Sequence, residues 1–88
     1  MVYLISYDLN KSGQNYNGLY EAIKSYGSWC HPVDSTWLIE TTSTAQLIYT
    51  KLKSCIDNND SILIIKVTQD YSGWLPNEVW DWLKNVSY

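Results

Sequence analysis

Eighty-eight residues, 45% hydrophobic and 17% charged, make one globular unit that is too short for two cores and has no disordered run. Six lysines, no arginine and nine acidic residues leave a net charge of −3. That balance argues against a grip on long duplex nucleic acid, which draws most of its affinity from basic contacts to phosphate.

Cutting a short strand or holding a small nucleotide needs only one or two positive contacts, so both stay open. Apolar runs such as residues 62–65 are far too short to cross a bilayer. Cys30 and Cys55 lack the paired spacing of a zinc site. Met1 leads straight into a strand pattern, so the thiols are expected to be reduced and the protein cytoplasmic. A chain this short buries only about 60–65% of its unfolded surface. The five tryptophans and eight tyrosines serve first as core filler, because large rings bury much area per residue.

Val2 to Leu9 is β-rich and apolar at both parities until Ser6 and Asp8, which suits a central strand covered on both faces. Asn10 to Asn15 is a polar loop. Tyr16, Leu19, Tyr20, Ile23 and Tyr26 recur at helical spacing, predicting a helix over about residues 15–26 with Gly27 as its C-terminal cap. Ser28 to Ser35 is ambiguous, because Pro32 lacks a backbone donor and belongs at a sheet edge or a bend. Residues 37–41 alternate as a strand. Ser43 and Gln46 match a capping box, opening a helix striped by Ala45, Ile48, Leu52, Cys55 and Ile56. Residues 57–60 form a turn and 61–68 a buried strand. Pro76 then opens a last helix, in which Trp80 and Leu83 are expected to be buried and Asp81 and Lys84 exposed.

The first six elements spell βαββαβ, a ferredoxin-like α+β fold with a four-stranded antiparallel sheet and two helices on one face. A single domain over residues 1–88 is expected, with 1–70 as the core fold and 71–88 as a C-terminal helical extension. The sheet's other face needs cover, from that last helix or from a second copy, so a homodimer is expected.

Asp8 closes the first strand, where rigid backbone pins its carboxylate while leaving it open to solvent. It either caps the loop through backbone hydrogen bonds or, paired across a dimer axis, holds a hard divalent cation such as magnesium. The run Tyr7-Asp8-Leu9 resembles that of the CRISPR-associated adaptation nucleases, the smaller of the two universal adaptation subunits. Gly27 at the helix end and Ser35-Thr36-Trp37-Leu38-Ile39-Glu40 before a capped helix resemble that family too, and VapD-type toxin endoribonucleases share the architecture. The resemblance covers residues 1 to about 68. It implies a homodimer in which Asp8 is the magnesium ligand of members that cut RNA or DNA, while other members are dimeric scaffolds. This chain differs in having no arginine, and in a tryptophan-bearing tail where many relatives add a strand.

Trp29-Cys30-His31-Pro32 supplies the only histidine. Adjacent strand residues face opposite ways, so Cys30 and His31 make a poor catalytic pair. Trp29 and His31 share parity and suit stacking on a base. Asn10, Lys11, Ser12 and Gly13, together with the helix that follows, offer amides and one cation for a phosphate. Three readings result. The first is a dimer binding a nucleotide or short oligonucleotide, such as one sequestering a nucleotide signal in bacterial defence or phage counter-defence, without a cofactor. The others are a magnesium-dependent nuclease using Asp8 and a non-catalytic scaffold. The acidic balance favours binding over cleavage.

Overall fold

The computed structural model of the chain describes residues 1–10 and 15–88. Its elements run β1 (Val2–Asp8), α1 (Asn17–Lys24), β2 (Ser28–Val33), β3 (Thr36–Glu40), α2 (Ala45–Leu52), a 3-10 turn at Lys53–Cys55, β4 (Ser61–Val67) and α3 (Asn77–Asn85). Among the described residues the four strands form one sheet in the order β2-β3-β1-β4, with every neighbouring pair antiparallel. This is the ferredoxin-like arrangement, with the first strand at its centre.

Alternation along β1 splits the molecule into two layers. Tyr3, Ile5 and Tyr7 face α1 and α2, where they pack with Leu19, Ile23, Ile48 and Leu52 into the larger core. Val2 on the other face packs with Leu38 beneath Val79 and Leu83 of α3. The apolar character of β1 at both parities therefore has a simple cause: each face carries a helical layer.

Local chemistry sets the element ends. Gly27 takes φ 90°, a conformation that costs a side chain steric strain, and its N–H donates to Lys24 O at 3.0 Å to finish α1. The cap of α2 is Thr44, one residue later than the capping box predicts. Its hydroxyl accepts from Leu47 N at 3.2 Å, while the Ser43 carbonyl is held by the Tyr3 hydroxyl at 2.9 Å. The ambiguous segment is edge strand β2, and its pairing with β3 breaks register between Cys30 and Val33, around Pro32. An edge with a bulge tolerates a residue that cannot donate.

The open face is covered only in part by α3. Leu83 is buried and Asp81 and Lys84 exposed as predicted, and Val79 is buried with Leu83. Trp80 is half-buried rather than buried, with its ring against Tyr71 at 6.1 Å, because the i, i+4 pair Val79 and Leu83 forms the inward stripe. On β4 the same sheet face leaves Leu63 57% and Ile65 52% exposed. Leu83→Ala is expected to cost about 2–3 kcal/mol, low in the range for buried leucines because the cluster is small. Trp74, fully exposed, should stay within about 0.5 kcal/mol of wild type on truncation to alanine. Urea unfolding of both variants checks this, and equal losses would show that α3 is not packed on the sheet.

Candidate functional site

Asp8 ends β1 opposite Ser61 of β4. Its parity puts it on the α3 side of the sheet, beyond the reach of that helix. The shallow cleft there, about 240 Å³, is bordered by Ser6, Tyr7, Asp8, Ser61, Ile62 and Leu63. Asp8 is exposed, and among the described residues no side chain or amide bonds its carboxylate. Most of the loop it was considered to cap, residues 11–14, lies outside the described residues.

The donor set suits a hard cation. A carboxylate flanked by serine hydroxyls offers oxygen only, and magnesium needs no more than one or two carboxylates beside water and phosphate. One chain does not enclose such an ion by itself: among the described residues no group of three or more His, Cys, Asp or Glu converges.

Asn10 is turned elsewhere. Its backbone N–H donates to Asp60 Oδ1 at 2.8 Å and its side-chain amide to Asn59 O at 2.8 Å. Asp60 also accepts from the Tyr16 hydroxyl at 2.9 Å and from Asp57 N at 2.7 Å. One carboxylate thus staples the end of β1, the start of α1 and the turn before β4. Nothing in the sequence beyond a polar turn signals this role for Asp60. Lys11, Ser12 and Gly13, proposed beside Asn10 as phosphate ligands, lie outside the described residues.

Trp29 and His31 stand on the opposite face of the sheet from Asp8, as their parity in β2 requires. Both lie against Trp37: the His31 ring is stacked on it at 3.9 Å and 13°, and Trp29 is tilted at 5.3 Å. Trp37 is buried, and its Nε1–H donates to the Tyr7 hydroxyl at 2.8 Å. The Nε2–H of His31 donates to the Asp34 carbonyl at 3.0 Å, which fixes the ring across the β2–β3 turn and leaves Nδ1 as the other ring nitrogen. The Lys24 ammonium sits 5.3 Å from the Trp29 ring centre, within cation–π reach. Together Tyr7, Tyr20, Lys24, His31, Asp34 and Trp37 line a cleft of about 340 Å³.

The structure therefore separates what the sequence grouped. Asp8 and His31 line different clefts on different faces, Trp29 packs on Trp37 without lining either, and Asn10 belongs to the 57–60 turn. Tyr20, read in the sequence only as part of the helix's apolar stripe, and Lys24, not singled out there, join this cleft; their i, i+4 spacing on α1 is the signal that puts them on one helical face. Burial is the main cause holding the Tyr7 hydroxyl above its ordinary pKa, against the lowering effect of the bond from Trp37. It stays a neutral donor, consistent with its 3.4 Å approach to the Asp34 carbonyl.

The remaining candidates carry less chemistry. A cleft of about 180 Å³ beneath α3, bordered by Leu4, Val33, Leu38, Leu75, Trp80 and Leu83, has no charged residue in its wall. Cys30 packs in the α3 layer and Cys55 in the opposite one, so the sheet separates the two thiols. Burial, then the charge of Glu78, pushes the Cys30 thiol up, away from the nucleophilic thiolate. Among the described residues no helix is long and apolar enough to cross a membrane.

The family model for CRISPR associated protein Cas2 matches residues 1–73. No curated protein matches the chain.

Proposed function

This chain belongs to the CRISPR-associated Cas2 family, and from that membership we propose that it is a homodimer that cleaves phosphodiester bonds in nucleic acid, with Asp8 of each copy at the reacting bond. The observation that carries the reading is the placement of Asp8. Its exposed carboxylate, unbonded among the described residues, shares an uncovered sector of sheet with Leu63 and Ile65, two large apolar side chains more than half exposed. Burying that sector against a second copy brings two carboxylates together, which supplies the second oxygen ligand a single chain lacks.

The chain's own parts divide the work. Leu63 and Ile65 supply apolar area for association, and β1 fixes the carboxylate on rigid backbone. Ser6 and Ser61 supply hydroxyls beside the phosphodiester. Hydrolysis adds water across one P–O bond, leaving a phosphate monoester on one fragment and a hydroxyl on the other. The two Asp8 carboxylates would hold a magnesium ion, which would supply charge neutralisation on the phosphoryl oxygens.

Sedimentation of the wild type at micromolar concentration should show twice the 10.2 kDa chain mass. Leu63→Lys combined with Ile65→Lys should give a folded monomer without cleavage, because both positions are exposed in the single chain. A wild-type monomer that still cleaves would remove the paired-carboxylate reading.

A second reading, retention of a nucleotide without cleavage, is supported by the cleft on the other face, where a stacked His31 and one lysine provide for a base and a single phosphate. Its test is denaturation of the purified protein and chromatography of whatever nucleotide is released. A nucleotide in stoichiometric amount would favour retention.

A further inference from the structure

The cleft at the β2–β3 edge has a cation at one end, a flat ring in the middle and a carboxylate at the other end. We infer that it binds a guanine nucleoside monophosphate, with the base stacked on His31, its donor edge on the Asp34 carboxylate and its phosphate at Lys24. The inference rests on the reading of this cleft as a nucleotide site, and is independent of cleavage at Asp8 on the other face. It adds the base, the number of phosphates and the direction in which the ligand lies.

The aromatic floor is built before anything binds. The His31 ring lies on the buried Trp37 at 3.9 Å and 13°, while the residue as a whole is exposed, so its outer face receives the base. Two bonds hold this floor: Trp37 Nε1–H donates to the Tyr7 hydroxyl at 2.8 Å, and His31 Nε2–H to the Asp34 carbonyl at 3.0 Å. The second bond also sets Asp34 beside the edge of the imidazole, next to where the edge of a stacked base falls. In the other direction Trp29 precedes His31 by two residues, about 6.5 Å along a strand. The Lys24 ammonium is 5.3 Å from the Trp29 ring centre. That offset suits the separation of a base from its 5′-phosphate.

Charge decides which end of the ligand goes where. Lys24 is the single cation in the wall, and Asp34 repels phosphate, so the phosphate belongs at Lys24 and the base edge at Asp34. An ionised carboxylate only accepts hydrogen bonds. The printed bonds of Asp34 run through its backbone carbonyl, and among the described residues its exposed carboxylate has no partner. Guanine presents two parallel donors, N1–H and the N2 amine, which match the two carboxylate oxygens. Adenine and cytosine each set a single amine beside an acceptor nitrogen, which opposes the second oxygen, and uracil flanks its one N–H with two carbonyls. A volume of about 340 Å³ is at the small end for ligand sites and has room for one nucleoside. One cation in a chain of net charge −3 suits one phosphate rather than three.

Calorimetric titration of the full chain in EDTA, so that no metal takes part, tests this. The probes are the 5′-monophosphates of guanosine, inosine, adenosine, cytidine and uridine, and guanosine itself. Guanosine monophosphate should bind at least about tenfold more tightly than the adenosine, cytidine or uridine forms. The inosine form, which keeps N1–H and lacks the N2 amine, should fall between the guanosine and adenosine forms. Asp34→Asn should bring guanosine and adenosine monophosphates to within about threefold of each other, because an amide nitrogen cannot accept. His31→Ala should weaken guanosine monophosphate about tenfold, while His31→Phe, which keeps a flat ring, should stay within about threefold of wild type. Guanosine should bind more weakly than its monophosphate, and Lys24→Gln should remove most of that difference.

Equal affinity for the five monophosphates overturns the guanine assignment and leaves a nucleotide site without base preference. Wild-type binding by both His31→Ala and Asp34→Asn puts the ligand outside this cleft and overturns the inference. Binding no tighter than millimolar by every probe overturns the inference and nucleotide retention together, and leaves cleavage at Asp8 as it stands.

Discussion

Asp8→Asn is expected to lower magnesium-dependent cleavage by about a hundredfold or more while leaving the fold intact. Asparagine keeps the shape of the side chain and removes the negative charge that a hard cation requires, and several kcal/mol of transition-state stabilisation go with that cation. The structural cost should be small, within about 0.5 kcal/mol, because the carboxylate is exposed and no described group bonds to it. Cleavage rates measured with and without EDTA, beside thermal unfolding of both proteins, check the two halves together. Equal rates for mutant and wild type would place the reaction elsewhere. A mutant that loses activity only because it melts early would return Asp8 to a structural role in capping the loop that follows β1. Mixing mutant with wild type adds a sharper reading. If each dimer needs both carboxylates, activity should fall faster than the wild-type fraction.

The fold was legible where one periodicity ruled. Tyr16 to Ile23 repeats at helical spacing, and residues 61–68 read as a buried strand; both became elements of the expected type, but β4 is an edge strand with no buried residue, because one of its faces has little cover. It was least legible at Ser28–Val33, where Pro32 interrupts a strand that only an edge with a bulge accommodates. The cap of α2 moved by one residue because Ser43 and Thr44 are chemically equivalent in sequence. A contact forty residues away, from the Tyr3 hydroxyl to the Ser43 carbonyl, distinguishes them.

The candidate site follows the same division. Period-two alternation already implies that Trp29 and His31 share a face and that Tyr7 and Asp8 do not. Which helix residues meet Trp29 and His31 depends on how α1 lies along the sheet edge, and no local pattern fixes that. The staple at Asp60 is longer in range still: Asn10 and Tyr16 reach it from the other half of the chain. The tail was readable as a helix with a buried stripe. Its inward row pairs Val79 with Leu83 at i, i+4, and Trp80 turns to lie against Tyr71.

Trp37→Ala should be the most damaging single change to stability, at about 3–5 kcal/mol. The ring is 3% exposed and lies against Tyr20, Trp29 and His31, with centroid distances of 6.2, 5.3 and 3.9 Å. Truncation removes that packing and also takes away the Nε1–H that donates to the Tyr7 hydroxyl. A chain of this length has about 4–13 kcal/mol of stability in all, so the loss is a large share of the total. Trp37→Phe separates the two contributions. It keeps most of the ring and drops the donor, and should cost about 1–3 kcal/mol. Urea unfolding at one fixed protein concentration is the measurement, since any dimer would add stability in proportion to its population. If Trp37→Ala loses less than about 1 kcal/mol, the ring is not the centre of the β2–β3 edge.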